Sequence, residues 1–455
     1  LPGRSPRADV PATAADCSKR QLAGAYTQRR NFSRRNFLTI AGAAVATGAL
    51  AACGSNKGAV GSSSSSSAVG STGPALTQWY HEYGEAGTQD AVKKYAAAYD
   101  KAKVTVKWNA GDYAKLLNAA LLTTEVPDVF ESEMGPSIDM IQAGQVGDLT
   151  DVIGDAKSRF NPALIDRMTF KDKIYGIPQV VDMHLLYYRK SILEKAGVQP
   201  PKTFDELVAV ANKVKTKDMG GLFVGNDGIG PMASVLLAAS GNDWFDAAKA
   251  GAGFLNEDFY KALIAFRDFS ASGGLLASAS KDWYDGSPFA NGETAMQWGG
   301  LWSMTDIQKA LGDDFGVLPF PSIGAKGKQS TLFGTFGACV AAKGKNVDAA
   351  KQYAKWLWVD QTESQIDFAN AYGTHVPAQP ELVAKCSKLV SGPGADAAKI
   401  LADFGHPASD ILWSGAMGAA YTAAVSNVLK KKAEPAKEFA TVGTTIASEL
   451  KRIKG

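Results

Sequence analysis

The chain has 455 residues, 45% of them hydrophobic and 20% charged, the balance of a globular protein with room for two ordinary domains. Its formal charge of +3 is unevenly placed: residues 1–52 hold eight Arg and Lys against Asp9 and Asp16, a net of +6, so the remainder is mildly acidic at −3. That leaves no clustered basic face of the kind nucleic acid demands, and four scattered cysteines and four scattered histidines speak against a disulfide framework or a Cys-based zinc site.

The first feature along the chain is an apolar stretch over residues 37–52, preceded by Arg34 and Arg35 and ending in small residues. This is the pattern of an export signal, and it is too short and Ala-rich for a spanning helix. Ser33, Arg34, Arg35, Asn36, Phe37 and Leu38 resemble a twin-arginine signal, which implies export after folding. Leu50, Ala51, Ala52 and Cys53 resemble the bacterial lipobox, so Cys53 is expected to be lipidated and to become the mature N-terminus. The alternative is an incidental Cys beside an ordinary cleavage site. Acyl chains contribute about 0.8 kcal/mol per buried methylene, so several on one Cys would hold the protein on the outer face of the cytoplasmic membrane. Residues 1–28, which open on Leu rather than Met, read as the product of a mistaken or non-standard translation start. The Ser/Gly-rich residues 54–75 cannot bury enough apolar surface to order themselves and read as a tether.

Beyond the tether, a first strand is expected to end at Trp79, Tyr80, His81 and Glu82. Val104, Val106 and Trp108 alternate with polar residues as in a half-buried strand, residues 114–122 carry a helical stripe, and residues 128–130 form another strand after Pro127. Thr203 and Glu206 have capping-box spacing and open a helix whose apolar stripe is Phe204, Leu207, Val208, Ala211 and Val214. Residues 294–298 and 336–342 read as strands, and Asp348 is expected to cap a helix bearing Tyr353, Trp356 and Leu357. Strands and helices alternating over this length imply an α/β protein, most simply two lobes. Cys339 and Cys386 read as buried free thiols, with a disulfide in an oxidising compartment as the alternative.

Several blocks in order resemble the family 1 extracellular solute-binding proteins of ABC importers, the group that includes maltose-binding protein. The first is Tyr175, Gly176, Ile177 and Pro178, then Asp182, then Leu186, Tyr187, Tyr188 and Arg189, continuing through Lys195, Ala196, Gly197, Pro201, Lys202, Thr203, Phe204 and Glu206. The second is Phe289, Asn291, Gly292, Ala295 and Met296, ending in Gly299, Gly300, Leu301 and Trp302; the third covers residues 316–321, 334–342, 349–357 and 373–377. One departure is Arg189, where the family usually has Asn. The resemblance implies a periplasmic-binding-protein-like fold, with an interlobe cleft, hinge closure on a ligand, an ABC permease as partner, and no enzymatic activity or cofactor. It divides the chain into an export segment (1–53), a linker (54–75), an N-terminal lobe (76–180 with 337–375) and a C-terminal lobe (181–336 with 376–455). A monomer is expected.

A sugar presents flat apolar faces rimmed by hydroxyls, so its site needs aromatic platforms with carboxylates or amides around them. In an open α/β sheet such groups belong at the carboxyl ends of strands. Tyr80, His81, Glu82, Asp112, Tyr113, Glu131 and Asp182 are the first-lobe candidates, with Ser132 beside them. From the second lobe come Trp283, Trp298, Trp302, Phe336 and Trp413, with Gly299 and Gly334 allowing close backbone approach; Tyr284 and Phe333 belong to the wider set, and Trp244 is a weaker member. Trp108, Trp356 and Trp358 read as packing and His375 as a satisfied structural histidine. The competing readings are a binding protein for a peptide, polyamine or glycerol phosphodiester, a surface adhesion or signalling lipoprotein, and a secreted carbohydrate-active enzyme. The last is opposed by the missing Gly-x-Ser-x-Gly, His-Glu-x-x-His and phosphate-loop motifs.

Overall fold

A computed structural model describes residues 73–455 except Gly230. The twin-arginine motif, the expected lipid site at Cys53 and nearly all of the linker therefore lie outside the described residues.

Strand β1 (Ala75–His81) turns Leu76, Gln78 and Tyr80 inward and the residues between them outward. It lies parallel to β2 (Lys103–Asn109) on one side and to β3 (Val129–Glu133) on the other. Parallel neighbours need crossovers, which the helices Thr88–Ala97 and Tyr113–Ala120 supply. Successive residues of β3 serve opposite faces: Val129 joins the apolar cluster containing Leu76 and Tyr353, and Phe130 joins the other, which contains Leu207 and Phe259. A separate small hairpin is formed by β4 (Thr169–Phe170) and β5 (Lys173–Ile174).

The remaining strands are β6 (Ile177–Tyr188), β7 (Gly220–Phe223), β8 (Thr294–Gly300), β9 (Gly316–Leu318), β10 (Thr331–Val340), β11 (Val376–Pro377) and β12 (Gly405–Pro407). The main path of the sheet runs β2-β1-β3-β10-β6-β8-β7. Its 12-residue strand β6 changes partners midway: the part up to Met183 pairs antiparallel with β10 and β11, while His184 to Tyr188 pair with β8 and β9. Strand β10 does the same, meeting β12 at Thr331 to Phe333 and β3 from Phe336 onward. Its register against β6 shifts between Thr335 and Gly337, a bulge that re-aims the side chain of Phe336.

The capping box is present: Thr203 accepts from Glu206 N, and Glu206 accepts from Thr203 N at 3.1 Å, opening the helix Phe204–Val214. Val210, not Val208, completes its buried stripe, because Val208 lies toward the flank of the helix and is only half-buried. The expected helix over 114–122 ends at Ala120 and leaves Leu122 exposed, β3 runs on to Glu133, and β10 begins at Thr331. Asp348 does not cap: Asn346 precedes the helix Val347–Lys355 and Asp348 sits in its first turn, where a carboxylate favours the helix dipole. The helix then widens into a π-helical turn, Trp356–Asp360, in which Trp358 is buried edge-on against Phe368 at 5.6 Å. Trp356 stacks on Tyr353 at 6.1 Å, and Trp108 tilts against Tyr80 and Tyr83, so all three tryptophans read as packing do pack.

Two long C-terminal helices, Gly415–Lys431 and Pro435–Lys454, lie against the helix Glu257–Ala271 and close an aromatic core of Phe254, Phe259, Tyr421 and Phe439. Cys339 and Cys386 are buried free thiols. No helix among the described residues is long and apolar enough to cross a membrane.

Candidate functional site

Parallel strands deliver their last residues, and the loops that follow, to one edge of a sheet. There β1 ends at His81 and β3 at Glu133, and a cleft of about 890 Å³ opens beside them. Its floor includes Asp182 and His184 of β6 with Gly334, Thr335 and Phe336 of β10, while Trp283, Tyr284 and Trp302 stand on the loops around β8.

Glu131 sits beneath this surface, 1% exposed. Its carboxylate accepts the backbone N–H of His81 at 2.6 Å, the Tyr83 hydroxyl at 2.9 Å and Nδ1 of His81. Burial alone would lower the pKa of His81; the Glu131 carboxylate outweighs it, and the net shift is upward. So held, the His81 ring stacks on Phe336 at 4.3 Å.

His375 forms a second charged bridge, its Nδ1 2.5 Å from Asp182 and its Nε2 3.0 Å from Glu85. Burial opposes protonation, but Asp182 and then Glu85 raise its pKa to about 10, so the ring is an imidazolium at neutral pH. The same contact lowers the pKa of Glu85 against the effect of burial. His184 shows the reverse. Burial among Trp283, Trp298 and Trp302, which meet its ring edge-on at 5.3, 5.9 and 5.9 Å, lowers its pKa to about 4, and Asp182 offsets this only in part. It is therefore neutral, and its Nδ1 is buried without a hydrogen-bond partner. Trp302 is fixed by Nε1 donating to the Tyr284 carbonyl at 2.8 Å and by a seat on Gly300, where an added Cβ would come within 2.1 Å of the indole.

Of the residues expected from sequence, His81, Glu82, Asp182, Trp283, Trp302, Gly334 and Phe336 come together around this cleft, with Tyr284 and Phe333. Asp112 and Tyr113 line an adjoining groove of about 840 Å³ that shares His81, Glu82 and Phe336 with it. There Asp112 caps its helix by accepting Lys115 N at 3.1 Å, and the Tyr113 hydroxyl donates to the Glu131 carbonyl at 2.9 Å.

Five expected residues are elsewhere. Tyr80 is fully buried, its inward turn on β1 placing the hydroxyl 2.8 Å from the Gln78 amide. Glu131 spends its oxygens on protein donors, as above. Trp298 is fully buried because both faces of β8 are covered, and it packs edge-on against Phe320 at 5.3 Å. Gly299 lies in the same covered strand, and Trp413 packs against Trp244 at 4.6 Å beside Tyr421. Sequence reasoning passed over Glu85, Glu133, His184, Ser303 and Asp306, which also line the cleft. A signal existed for His184, two residues beyond Asp182 on one strand face. His375 is satisfied as expected, yet it also lines the cleft. Among the described residues no group of His, Cys, Asp and Glu gathers in a form that could hold a metal ion.

The profile of the bacterial extracellular solute-binding proteins matches residues 85–360. The galactooligosaccharide-binding protein of Bacillus subtilis is 24% identical over 421 residues, covering 88% of this chain and 94% of its own. The diacetylchitobiose binding protein DasA of Streptomyces coelicolor is 26% identical over 353 residues, covering 74% and 81%. Among solved structures, the GacH receptor of Streptomyces glaucescens, determined unliganded and with acarbose, superposes with a TM-score of 0.69 at 24% identity over 83% of this chain and 99% of that one. The fold is thus the two-lobed α/β architecture of such binding proteins.

Proposed function

The chain belongs to the bacterial extracellular solute-binding proteins, and from that premise we propose that it captures a sugar or oligosaccharide and delivers it to the permease of an ABC importer. The observation that carries the sugar assignment is the pairing of Trp283 and Trp302 with Asp182, Glu82 and Glu133 around one cleft. Indole faces match the apolar faces of a pyranose, and carboxyl oxygens accept from its hydroxyls. The names of the galactooligosaccharide- and diacetylchitobiose-binding relatives support the same class. Members of this family bind solutes rather than transform them, so no catalytic role is assigned.

The leader and Cys53 support export and a lipid anchor on the outer face of the cytoplasmic membrane, with the protein acting as a monomer. The partner changes within β6 and β10 support a hinge that runs through these two strands, so the lobes close on the ligand.

The test is a thermal-shift screen of the full chain carrying Cys53→Ser against a panel of mono- and oligosaccharides, with peptides and polyamines alongside. A sugar at 100 times its dissociation constant should stabilise the protein by about 2.7 kcal/mol. A shift with peptides or polyamines and with no sugar would overturn the assignment.

A further inference from the structure

Up to Tyr187, strand β6 is buried except at Asp182 and His184, which share one strand face roughly 7 Å apart and open onto the floor of the cleft. Asp182 already has a place in the ligand assignment, and His184 has none. Its ring is caged by Trp283, Trp298 and Trp302, and its two nitrogens differ in their surroundings. Nδ1 is buried without a hydrogen-bond partner; Nε2 makes no hydrogen bond within the protein either, but it is not closed off in the same way. A neutral imidazole carries one proton, so one nitrogen donates and the other accepts. A proton on Nδ1 would bury a donor that has no acceptor in reach, at the full cost of its lost hydration. A bare Nδ1 lone pair is the lesser cost, since buried donors are left unpaired more rarely than buried acceptors. The Nε2–H tautomer results, with its donor on the open side of the ring.

The cleft needs such a donor. Six carboxylates line it, and among the described residues its lining holds no Lys, Arg, Asn or Gln. Several of its neutral and charged donors are already engaged: both nitrogens of His375 by Asp182 and Glu85, Trp302 Nε1 by the Tyr284 carbonyl, and the Thr335 hydroxyl by the Phe336 carbonyl at 2.9 Å. A sugar hydroxyl both donates and accepts, so carboxylates satisfy only half of it. Building on the carbohydrate assignment above, we propose that His184 is a specificity-determining residue of the cleft: its Nε2–H donates to a hydroxyl oxygen of the sugar held beside Trp283 and Trp302, next to the hydroxyl that donates to Asp182. The indole cage suits this role, because it holds the flat ring in one orientation. A ring kept neutral also brings no charge that must be desolvated when a ligand covers it.

The test uses the full chain carrying Cys53→Ser and labelled with nitrogen-15 histidine. The probes are β-1,4-galactobiose, N,N′-diacetylchitobiose, maltotriose and every sugar that shifts the melting point in the panel above. Long-range proton–nitrogen NMR near neutral pH reads the tautomer before any sugar is added, and the His184 signal is the one missing from His184→Phe. It should be neutral with its proton on Nε2, and a saturating sugar should move the Nε2 resonance more than that of Nδ1. Calorimetry supplies the second readout. His184→Phe fills the indole cage but cannot donate, so it should weaken the bound sugar about tenfold while melting no lower than wild type. His184→Gln, whose amide nitrogen reaches the place of Nε2, should bind within about threefold of wild type, and the shorter His184→Asn should behave like the Phe variant. A residue that only packed would not give that order. An Nδ1–H tautomer, or a sugar bound by His184→Phe as tightly as by wild type, would overturn this proposal and leave the carbohydrate assignment standing. Absence of binding by every sugar overturns both.

Discussion

His375 is joined to Asp182, 193 residues away in sequence, and to Glu85, so one ring ties the loop after β1 to the crossing strand β6. Its pKa of about 10 in the folded protein lies above the ordinary histidine value of 6.5. A histidine raised in this way contributes stability that is fully present below about pH 6.5 and is lost as pH rises through about 10. His184 has the opposite sign: its folded value of about 4 means that protonation favours unfolding, so its effect is a loss of stability as pH falls from 6.5 toward 4. Near neutral pH the His184 penalty is therefore absent, while most of the His375 contribution is still present. His375→Gln should therefore cost about 3 kcal/mol near neutral pH, because it leaves the half-buried carboxylates of Asp182 and Glu85 without their shared counter-charge. Urea denaturation at several pH values checks this: the gap between wild type and variant should narrow toward pH 10. A gap that stays constant from pH 6 to 10 would show that the bridge is not ionic.

At the level of elements, the cleft depends on how β8 ends. Every residue from Thr294 to Gly300 is buried, and only after Gly300 does the chain turn out and release Trp302 toward the cleft. The indole rests directly over the Gly300 Cα, so Gly300→Ala would force it off its seat and break its hydrogen bond to the Tyr284 carbonyl. The expected outcome is a loss of ligand affinity of about tenfold or more, the loss of an aromatic anchor, with a smaller effect on the two apolar clusters. Calorimetry with the best ligand and a far-UV melt of the same variant separate the two effects; unchanged affinity would refute the role given to Trp302.

The same strand shows why the sequence was only partly legible. In β1 and β2 one face is covered and the other is not, so alternation is written in the residues, and the Thr203–Glu206 cap is local chemistry. Strand β8 is covered on both faces, and nothing in its run of residues tells the face of Trp298 from the end that releases Trp302. The resemblance carried the order of the blocks, including the crossing at Tyr175 to Arg189, while the carboxylates around His375 meet only through the fold. Glu133 was missed for a simpler reason: the strand was expected to stop at Phe130, three residues before the cleft.

At the scale of the whole molecule, β6 and β10 each pair with one set of strands in their first half and another in their second. The backbone at these changeovers is extended and lies among buried residues, so movement there is better accommodated as a rotation of one half-sheet against the other than as local unfolding. The cleft draws its lining from both sides of this changeover, with His81 and Glu133 before it and Trp283 and Trp302 after it. On the hinge proposed above, the approach of the lobes brings all four onto one ligand, and the ligand shifts such an equilibrium by its difference in affinity for the two states. Saturating ligand should therefore reduce the radius of gyration measured by X-ray scattering. A globule of roughly 380 residues has a value of about 21 Å, and the closed form should move toward it. Trp302→Ala should still bind weakly through the first-lobe groups but compact less at saturation, because the missing indole is one of the groups that rewards closure with binding energy. Identical scattering with and without a tightly bound ligand would mean that the cleft is preformed and that β6 and β10 do not act as a hinge.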